Sequence, residues 1–150
     1  MDLSTITRWN TALALTVDAQ GSAEFFPALI TALREMLPLS YPQVWLYHRD
    51  LPPQVVYHDI PKHAIPSQID EYLEGPYRED PFYQVSMDNP KGSIYRLGRI
   101  SGNLKDSVYY QTYYGDTGTV DELVFLSKLD DGSVINLSFW ISRIKNSKHN

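Results

Sequence analysis

A hairpin signal near the end of the chain constrains the fold more than any other feature of the sequence. Two apolar runs, residues 122–126 and 134–141, flank the turn sequence Asp-Asp-Gly-Ser at 130–133. Aspartate and glycine between two such runs are typical of the tight turn that joins antiparallel strands. A second pair of strands is predicted at 44–47 and 55–57, with a turn at Pro52-Pro53 between them. Because the predicted strands are joined by short turns, most of their pairing should be antiparallel.

Helical periodicity fills most of the remaining chain. A first helix is predicted over 4–17, and one face of it should carry four apolar residues: Ile6, Trp9, Leu13 and Val17. Further elements are predicted in this order: a helix at 22–36, a helix at 67–73, a helix beginning at Pro81, a strand at 92–97 and a helix at 103–114. Ser22, Ser67 and Asp80 are the expected N-caps of three of these helices.

The order of these elements defines the fold class. The arrangement that buries both element types is an α/β (α+β) sandwich, with a central, mainly antiparallel sheet and helices on its faces. GAF-like and PAS-like sensor domains have this α-β-α layout. Because 150 residues are the usual size of one domain, we expect residues 1–150 to form a single domain with one hydrophobic core.

Composition and motifs argue against enzymatic chemistry. The chain has no cysteine, which excludes disulfides, thiolate metal sites and a cysteine nucleophile, and which favours the reducing cytoplasm as its compartment. The four histidines lack the spacing of metal ligands, although His48 and His58 could approach each other across the predicted hairpin. No nucleophile elbow, phosphate loop or dinucleotide motif is present. We therefore expect no catalytic residue, no metal, no cofactor and no enzymatic activity.

The charge distribution argues against contact with nucleic acid. The net charge is −5, and the 13 lysines and arginines are scattered apart from a basic stretch at 143–149. A protein that grips DNA through its phosphates needs a clustered basic face, so this chain alone should not bind nucleic acid. No apolar run approaches the roughly 20 residues that cross a bilayer, and nothing resembles a signal peptide, so no membrane association is expected.

The excess of tyrosine indicates a polar use for aromatic rings. The chain has eleven tyrosines against five phenylalanines, and a buried tyrosine needs a hydrogen-bond partner for its hydroxyl. A partly polar cavity or an interface would supply such partners; tyrosines at the wet edge of the core are the alternative. In the predicted helix at 103–114, Tyr110 and Tyr114 share one face, and Tyr109 and Tyr113 share another. One pair could pack on the sheet while the other faces a ligand or a partner.

Two segments carry a resemblance to a known family. Residues 72–83 read Tyr-Leu-Glu-Gly-Pro-Tyr-Arg-Glu-Asp-Pro-Phe-Tyr, and residues 107–122 contain Tyr-Tyr-Gln-Thr-Tyr-Tyr followed by Thr-Gly and Asp-Glu. Together these motifs resemble the N-terminal sensor half of LuxR-type bacterial transcription regulators. The resemblance implies a domain that binds a small-molecule effector, forms a homodimer and signals to a DNA-binding domain. It also implies a helix-turn-helix domain, which is absent from these 150 residues.

Asp80 and Tyr77 further resemble ligand contacts in the acyl-homoserine-lactone receptors of the same superfamily. That resemblance implies that Asp80 accepts a hydrogen bond from a ligand N–H and that Tyr77 donates to a ligand carbonyl. Those receptors carry a tryptophan upstream of the aspartate, where this chain has Ile69, Tyr72 and Leu73, and their tyrosine-to-aspartate spacing differs. These departures argue against a lactone. A role for Asp80 as a helix N-cap alone is the open alternative.

The candidate site is an aromatic pocket between the sheet and the middle helices. Its predicted walls are aromatic: Trp45, Tyr47, Tyr72, Tyr77, Phe82, Tyr110 and Tyr114. Its predicted polar anchors are Asp80 and Glu122, since two adjacent acids in a strand are unfavourable unless one makes a specific contact; a solvated strand entry is the alternative. Apolar walls with a few convergent polar groups are typical of small-molecule sites. The competing interpretation is a dimerisation or protein-interaction module that needs no ligand.

Overall fold

The structure, a computed structural model, describes residues 1–88, 92–100, 107–112 and 119–142. Its contacts divide the chain into two compact units, Met1–Leu39 and Ser40–Asn150. The first unit is a pair of helices, and the sheet belongs to the second. Within the described ranges, no helix is both long enough and apolar enough to cross a bilayer.

The first unit contains α1 (Leu3–Asp18) and α2 (Phe25–Met36), which pack against each other. Asp2 caps α1, because its carboxylate accepts a hydrogen bond from the amide of Thr5 at 2.7 Å. The two predicted helices are confirmed, but the predicted N-cap of the second is wrong. The Ser22 hydroxyl donates to the Ala19 carbonyl at 2.7 Å in the turn after α1, and α2 begins three residues later without a side-chain cap.

The buried face of α1 differs from the predicted one. Trp9 is half-buried, as expected, but it lies on a face with Thr5, Ala12 and Thr16, the last of which is fully buried. The other three residues of the predicted face are exposed: Ile6, Leu13 and Val17. Small residues at 12 and 16 let α1 approach its neighbour closely. This close packing of helix on helix explains why the face with the small residues is buried and the more apolar face is not.

The second unit is built on a five-stranded sheet with the strand order β2-β1-β5-β4-β3. The strands are β1 (Leu39–His48), β2 (Leu51–His58), β3 (Ser93–Arg96), β4 (Thr119–Lys128) and β5 (Val134–Ser142). The pairs β1–β2, β3–β4 and β4–β5 are antiparallel. The predicted strands and the mainly antiparallel pairing are therefore confirmed. The turn at 130–133 is also confirmed, and Gly132 adopts the positive φ of +85° that glycine permits.

The first hairpin turns earlier than predicted. Its turn lies at Arg49 and Asp50, and Pro52 and Pro53 lie inside β2. The sheet tolerates these prolines because β2 is an edge strand, where a missing amide donor need not break a ladder hydrogen bond. In this register His48 lies opposite Leu51 while His58 is at the other end of the hairpin, so the two histidines do not approach each other. Among the described residues, no group of three histidine, aspartate or glutamate side chains could hold a metal ion.

A series of short helices connects β2 to β3. They are a 3₁₀ turn (Lys62–Ala64), a π-helical turn (Pro66–Asp70), α3 (Glu71–Leu73), a second 3₁₀ turn (Pro76–Glu79) and α4 (Pro81–Met87). The helical segment predicted at 67–73 is confirmed, but Ser67 does not cap it. Its hydroxyl donates to the Ala64 carbonyl at 3.2 Å from within the π-helical turn. The predicted start of α4 is confirmed, because Asp80 accepts from the amide of Phe82 at 2.8 Å.

Two more short helices lie between β3 and β4 in the chain. They are α5 (Leu97–Ile100) and α6 (Val108–Tyr110), which is capped by the Ser107 hydroxyl. Of the helix predicted at 103–114, only residues 107–112 are among those the structure describes. These helices and the β2–β3 connection bury one face of the sheet in a core that includes Trp45, Tyr72 and Phe82. The predicted fold class, a sheet with helices packed on it, is confirmed.

Candidate functional site

The helix-covered face of the sheet is unusually polar for a buried surface. On β5, Asn136, Ser138 and Trp140 alternate onto this face, and Glu122 of β4 lies opposite Trp140. All four residues are buried, with exposed fractions between 2% and 7%. Polar groups on a core face are costly unless they find partners, so their convergence needs an explanation.

These residues surround a small cavity between β1, β4, β5 and the middle helices. In the described part of the chain, its lining consists of five aromatic, two acidic and four other polar residues: Trp45, Tyr47, Tyr72, Tyr109 and Trp140; Asp80 and Glu122; Gln43, Gln68, Asn136 and Ser138. The free volume is about 30 Å³. One water needs roughly 10–15 Å³ on the same scale, so the cavity has room for water or a small polar group. Pockets for drug-sized molecules have about 300–1,000 Å³.

A directed chain of hydrogen bonds runs along one wall of the cavity. The Tyr72 hydroxyl donates to Asp80 Oδ2 at 2.6 Å, and Asp80 Oδ1 accepts from the amide of Phe82. Since Tyr72 has a single hydroxyl proton, Tyr47 must donate to it across their 3.0 Å contact. Asn136 Nδ2 in turn donates to the Tyr47 hydroxyl at 3.3 Å. Asp80 is therefore both a helix N-cap and the end of this hydrogen-bond chain.

The direction of this series of hydrogen bonds leaves one acceptor without a partner. Because Tyr47 uses its proton on Tyr72, it can only accept from Asn136, and this fixes the amide orientation of Asn136. The other amide atom, Asn136 Oδ1, is buried and has no hydrogen-bond partner in the structure as described. A buried unsatisfied acceptor costs about 1–3 kcal/mol. A water or a ligand that donates a hydrogen bond here would remove that cost.

Burial shifts the pKa values of three ionisable side chains in the cavity wall. Burial raises the pKa of Asp80, and this is opposed by hydrogen bonds from the Tyr72 hydroxyl, the amides of Phe82 and Tyr83, and the Tyr109 side chain. Burial, and then the neighbouring Asp80 carboxylate, raise the pKa of Tyr72 well above its ordinary value of 10.0. The pKa of Tyr47 is raised for the same two reasons. Both tyrosines therefore stay neutral and act as hydrogen-bond donors.

The adjacent acids Asp121 and Glu122 have different surroundings. Asp121 forms an ion pair with Arg96 and accepts from the Glu122 amide at 3.0 Å. Glu122 lies on the cavity side, where it accepts a hydrogen bond from the Ser138 hydroxyl. Both side chains are buried, so the alternative of a solvated strand entry is wrong.

The structure brings five of the nine predicted site residues to the cavity. They are Trp45, Tyr47, Tyr72, Asp80 and Glu122. Tyr77 and Phe82 lie in the same aromatic core but not in the cavity lining, and Arg78 stacks on Tyr77 at 4.8 Å. Tyr110 is half-buried beside the core, and its neighbour Tyr109 lines the cavity instead. Tyr114 lies outside the described residues.

Six lining residues were not predicted: Gln43, Gln68, Tyr109, Asn136, Ser138 and Trp140. The signal for three of them is in β5, where positions 136, 138 and 140 alternate with Leu137 and Phe139. Ordinary alternation would place the apolar set inside and the polar set in water. In the structure Asn136, Leu137, Ser138 and Phe139 are all buried, so both faces of β5 are covered.

Comparison with solved structures identifies the fold. The ligand-binding domain of VqsR from Pseudomonas aeruginosa is similar with a TM-score of 0.76 and 26% identity, over 90% of this chain and 80% of that one. The chain has the fold of a LuxR-family ligand-binding domain. CepR2 from Burkholderia cenocepacia, a LuxR-family factor dependent on N-acylhomoserine lactone, has a TM-score of 0.65 and 16% identity, over 93% of this chain and 79% of that one. SdiA, in complex with octanoyl-rac-glycerol, has a TM-score of 0.56 and 16% identity, over 100% of this chain and 59% of that one.

These neighbours confirm the resemblance to LuxR-type sensor domains that the motifs at 72–83 and 107–122 carry. CepR2 is a LuxR-family transcription factor, and the VqsR structure is that of a ligand-binding domain. No protein-family model matches the sequence, and neither does any curated protein. The relationship is therefore visible in the structure and in short motifs, at an overall sequence identity of 26% or less to these neighbours.

Proposed function

We propose that this chain is the sensor domain of a LuxR-type transcription regulator and that it binds a small-molecule effector in the cavity beside Asp80 and Asn136. The observation that carries the proposal is the unpaired Asn136 Oδ1, buried at the point where the other polar groups of the sheet face converge. The SdiA complex shows that this fold accommodates a small molecule in another protein. Effector binding would alter how an attached DNA-binding domain is presented.

A purely structural core offers no reason for this chemistry. Three polar side chains, Asn136, Ser138 and Glu122, occupy positions where aliphatic residues would pack without any hydrogen-bond requirement. One of them remains incompletely paired in the structure. Retention of a destabilising polar group in a core is characteristic of sites where binding competes with stability.

The small size of the cavity fits a sensor that changes on binding. An effector larger than the free volume of about 30 Å³ binds only a wider arrangement of the walls. Gln68, which lines the cavity and is only half-buried, lies where such widening would begin. A ligand that prefers the wider state shifts the population toward it, and this difference in affinity is what drives a signal.

We infer no catalytic role for the chain. The two acidic side chains of the cavity accept hydrogen bonds from neighbours, Asp80 from Tyr72 and Phe82 and Glu122 from Ser138, and this arrangement favours positioning over proton transfer to a substrate. With a net charge of −5, direct nucleic-acid contact would fall to a helix-turn-helix domain outside this sequence. We expect residues 1–150 to act as one sensor domain in the cytoplasm, without a membrane partner.

The test is native mass spectrometry of the protein purified from its own bacterium, beside a denaturing run. We expect wild type to carry an extra mass that is lost on denaturation and that is absent in Asn136→Leu. Gln54→Leu is the matched control, since it changes an exposed strand amide in the same way. An apo mass for wild type and Gln54→Leu, with no thermal stabilisation of either by a metabolite extract, contradicts the proposal.

A specific observation also favours self-association. Four exposed apolar residues of α1 form one stripe with heptad spacing, interrupted by a single asparagine: Leu3, Ile6, Asn10, Leu13 and Val17. Leu3 is 78% exposed and Val17 is 55% exposed. Apolar a and d positions with one polar a position are typical of a two-helix seam, in which asparagine sets the register. In a parallel pair with a second copy in register, Asn10 would meet its own counterpart.

Size-exclusion chromatography with light scattering tests this second function. We expect wild type to be a dimer and Leu13→Glu to be a monomer, since a charge at the seam is not compatible with apolar packing. Leu15→Glu is the matched control, because Leu15 is 61% exposed on the same helix but lies off the stripe. A monomeric wild type, or a dimeric Leu13→Glu, contradicts the assignment of this surface.

A further inference from the structure

The cavity wall concentrates negative charge and hydrogen-bond acceptors. Asp80 is met by neutral donors, namely the hydroxyl of Tyr72, two backbone amides and the Tyr109 side chain. Glu122 brings a second carboxylate to the lining. Of the lining residues in the described ranges, none is a lysine, arginine or histidine.

Three donors of the lining are already committed within it. Tyr72 and Tyr47 use their protons along the chain to Asp80, and Trp45 Nε1 donates to Gln43 Oε1 at 3.1 Å. Among the fully buried side-chain polar atoms of the described residues, the one without a hydrogen-bond partner is an acceptor, Asn136 Oδ1. A ligand that satisfies it must donate a hydrogen bond, because two acceptors cannot pair.

The remaining walls of the cavity are aromatic. Five rings line it: Trp45, Tyr47, Tyr72, Tyr109 and Trp140. The face of an aromatic ring carries negative potential and attracts cations, most strongly for tryptophan. Aromatic rings around a carboxylate, with a free acceptor and no basic residue among the described lining, form the environment that recognises an organic ammonium group.

We propose that the effector carries a protonated amine, and that its ammonium group donates to Asn136 Oδ1 beside the Asp80 carboxylate within these aromatic walls. This inference rests on the proposed sensor function and names its ligand class. The free volume of about 30 Å³ suits an ammonium head group, while the rest of the molecule would occupy the space that opens on binding. An anionic ligand would be repelled by the carboxylates, and a neutral ligand would leave the buried charge of Asp80 without a counter-ion.

The experiment uses matched probes and matched variants. Primary ammonium ions from methylammonium to butylammonium are titrated beside alcohols and carboxylates of the same chain length, at constant ionic strength. Fluorescence of Trp45 and Trp140 and the thermal midpoint report binding. We expect saturable binding of the amines only, weakened at least about tenfold in Asp80→Asn, which removes the charge but keeps the oxygen that caps α4. Asp88→Asn, at the exposed far end of α4, should bind amines as wild type does.

The outcomes separate this inference from the sensor function. Alcohols that bind as well as amines, or amine binding unchanged in Asp80→Asn, overturn the ammonium assignment. If no amine binds while native mass spectrometry shows a retained mass that Asn136→Leu loses, the ligand is of another class and the sensor function stands. If no amine binds and no mass is retained, both proposals fail.

Discussion

Asn136 is the residue that departs most clearly from what packing alone would favour. Its side chain is 2% exposed, its Nδ2 supports Tyr47, and its Oδ1 has no partner in the described structure. A leucine has nearly the same shape, so selection for stability alone would favour it. The unpaired oxygen therefore supports the proposal of a ligand that donates a hydrogen bond to Asn136.

Replacement of Asn136 by leucine should stabilise the apo protein. The change removes the unsatisfied acceptor and adds apolar contact, while it loses one hydrogen bond to Tyr47. We expect a net gain of about 1 kcal/mol in the free energy of unfolding and a rise of about 2–4 °C in Tm. Urea unfolding of ligand-free protein measures it, with Gln54→Leu as the exposed control. A loss of stability would show that the amide is structurally required.

The charge of Asp80 predicts a specific pH dependence of stability. Burial raises the pKa of Asp80 in the folded state above the ordinary value of 3.8. At pH values between 3.8 and this raised pKa, the folded state therefore binds more protons than the unfolded state. The free energy of unfolding of wild type therefore falls as pH rises through that window. Asp80→Asn lacks this titration, so its free energy of unfolding minus that of wild type should rise as pH increases from 3.8 and then level off. Tyr72 and Tyr47, whose pKa values are raised well above 10.0 by burial, remain neutral over this range.

Urea unfolding at a series of pH values measures that difference, and Asp131 supplies a control of opposite sign. Hydrogen bonds from Ser133 lower the pKa of Asp131, so its contribution to stability is present above 3.8 and is lost as pH falls. Asp131→Asn should therefore become less stable relative to wild type as pH rises. A difference between Asp80→Asn and wild type that shrinks with rising pH would contradict the assigned shift.

At the scale of single elements, the sequence predicts what local pattern determines. The strands, the turn at 130–133 and the Asp80 cap follow from alternation and turn chemistry, and the structure confirms them. The buried polar face of β5 could not be predicted, because alternation shows which residues share a face but not which face is covered. The face of α1 was assigned wrongly for a related reason: apolar periodicity does not distinguish a core from an exposed seam.

Tyr109 and Tyr110 are adjacent in α6, and the orientation of this helix determines which of them lines the cavity. Successive helical residues point about 100° apart, so only one of the two can line the cavity. The Tyr109 side chain forms a hydrogen bond with Asp80, whereas Tyr110 is half-buried beside the core. We expect Tyr109→Phe to weaken effector binding about fivefold and Tyr110→Phe to leave it within about twofold, by titration of the amine probe. The reverse order would restore Tyr110 as the site residue that the sequence indicates.

At the scale of the whole molecule, a sensor needs two events that influence each other. In the proposed function, the cavity beside Asp80 would bind the ligand, and the stripe on α1 centred at Asn10 would associate with a second copy. Neither event alone transmits a signal. Transmission requires that the ligand-bound state and the free state differ in their association, or in the way they present an attached domain.

Thermodynamic linkage makes this requirement measurable. If the ligand strengthens dimerisation by some factor, dimerisation must strengthen ligand binding by the same factor, typically about 5–150-fold in proteins that couple two sites. Sedimentation of wild type with and without the amine probe gives the first factor. Titration of the probe into wild-type dimer and Leu13→Glu monomer gives the second, and Asn136→Leu should show no ligand effect on dimerisation. Equal factors above one establish the dimer as the route of the signal; two factors of one would place the route elsewhere, in the presentation of the attached domain by each single chain.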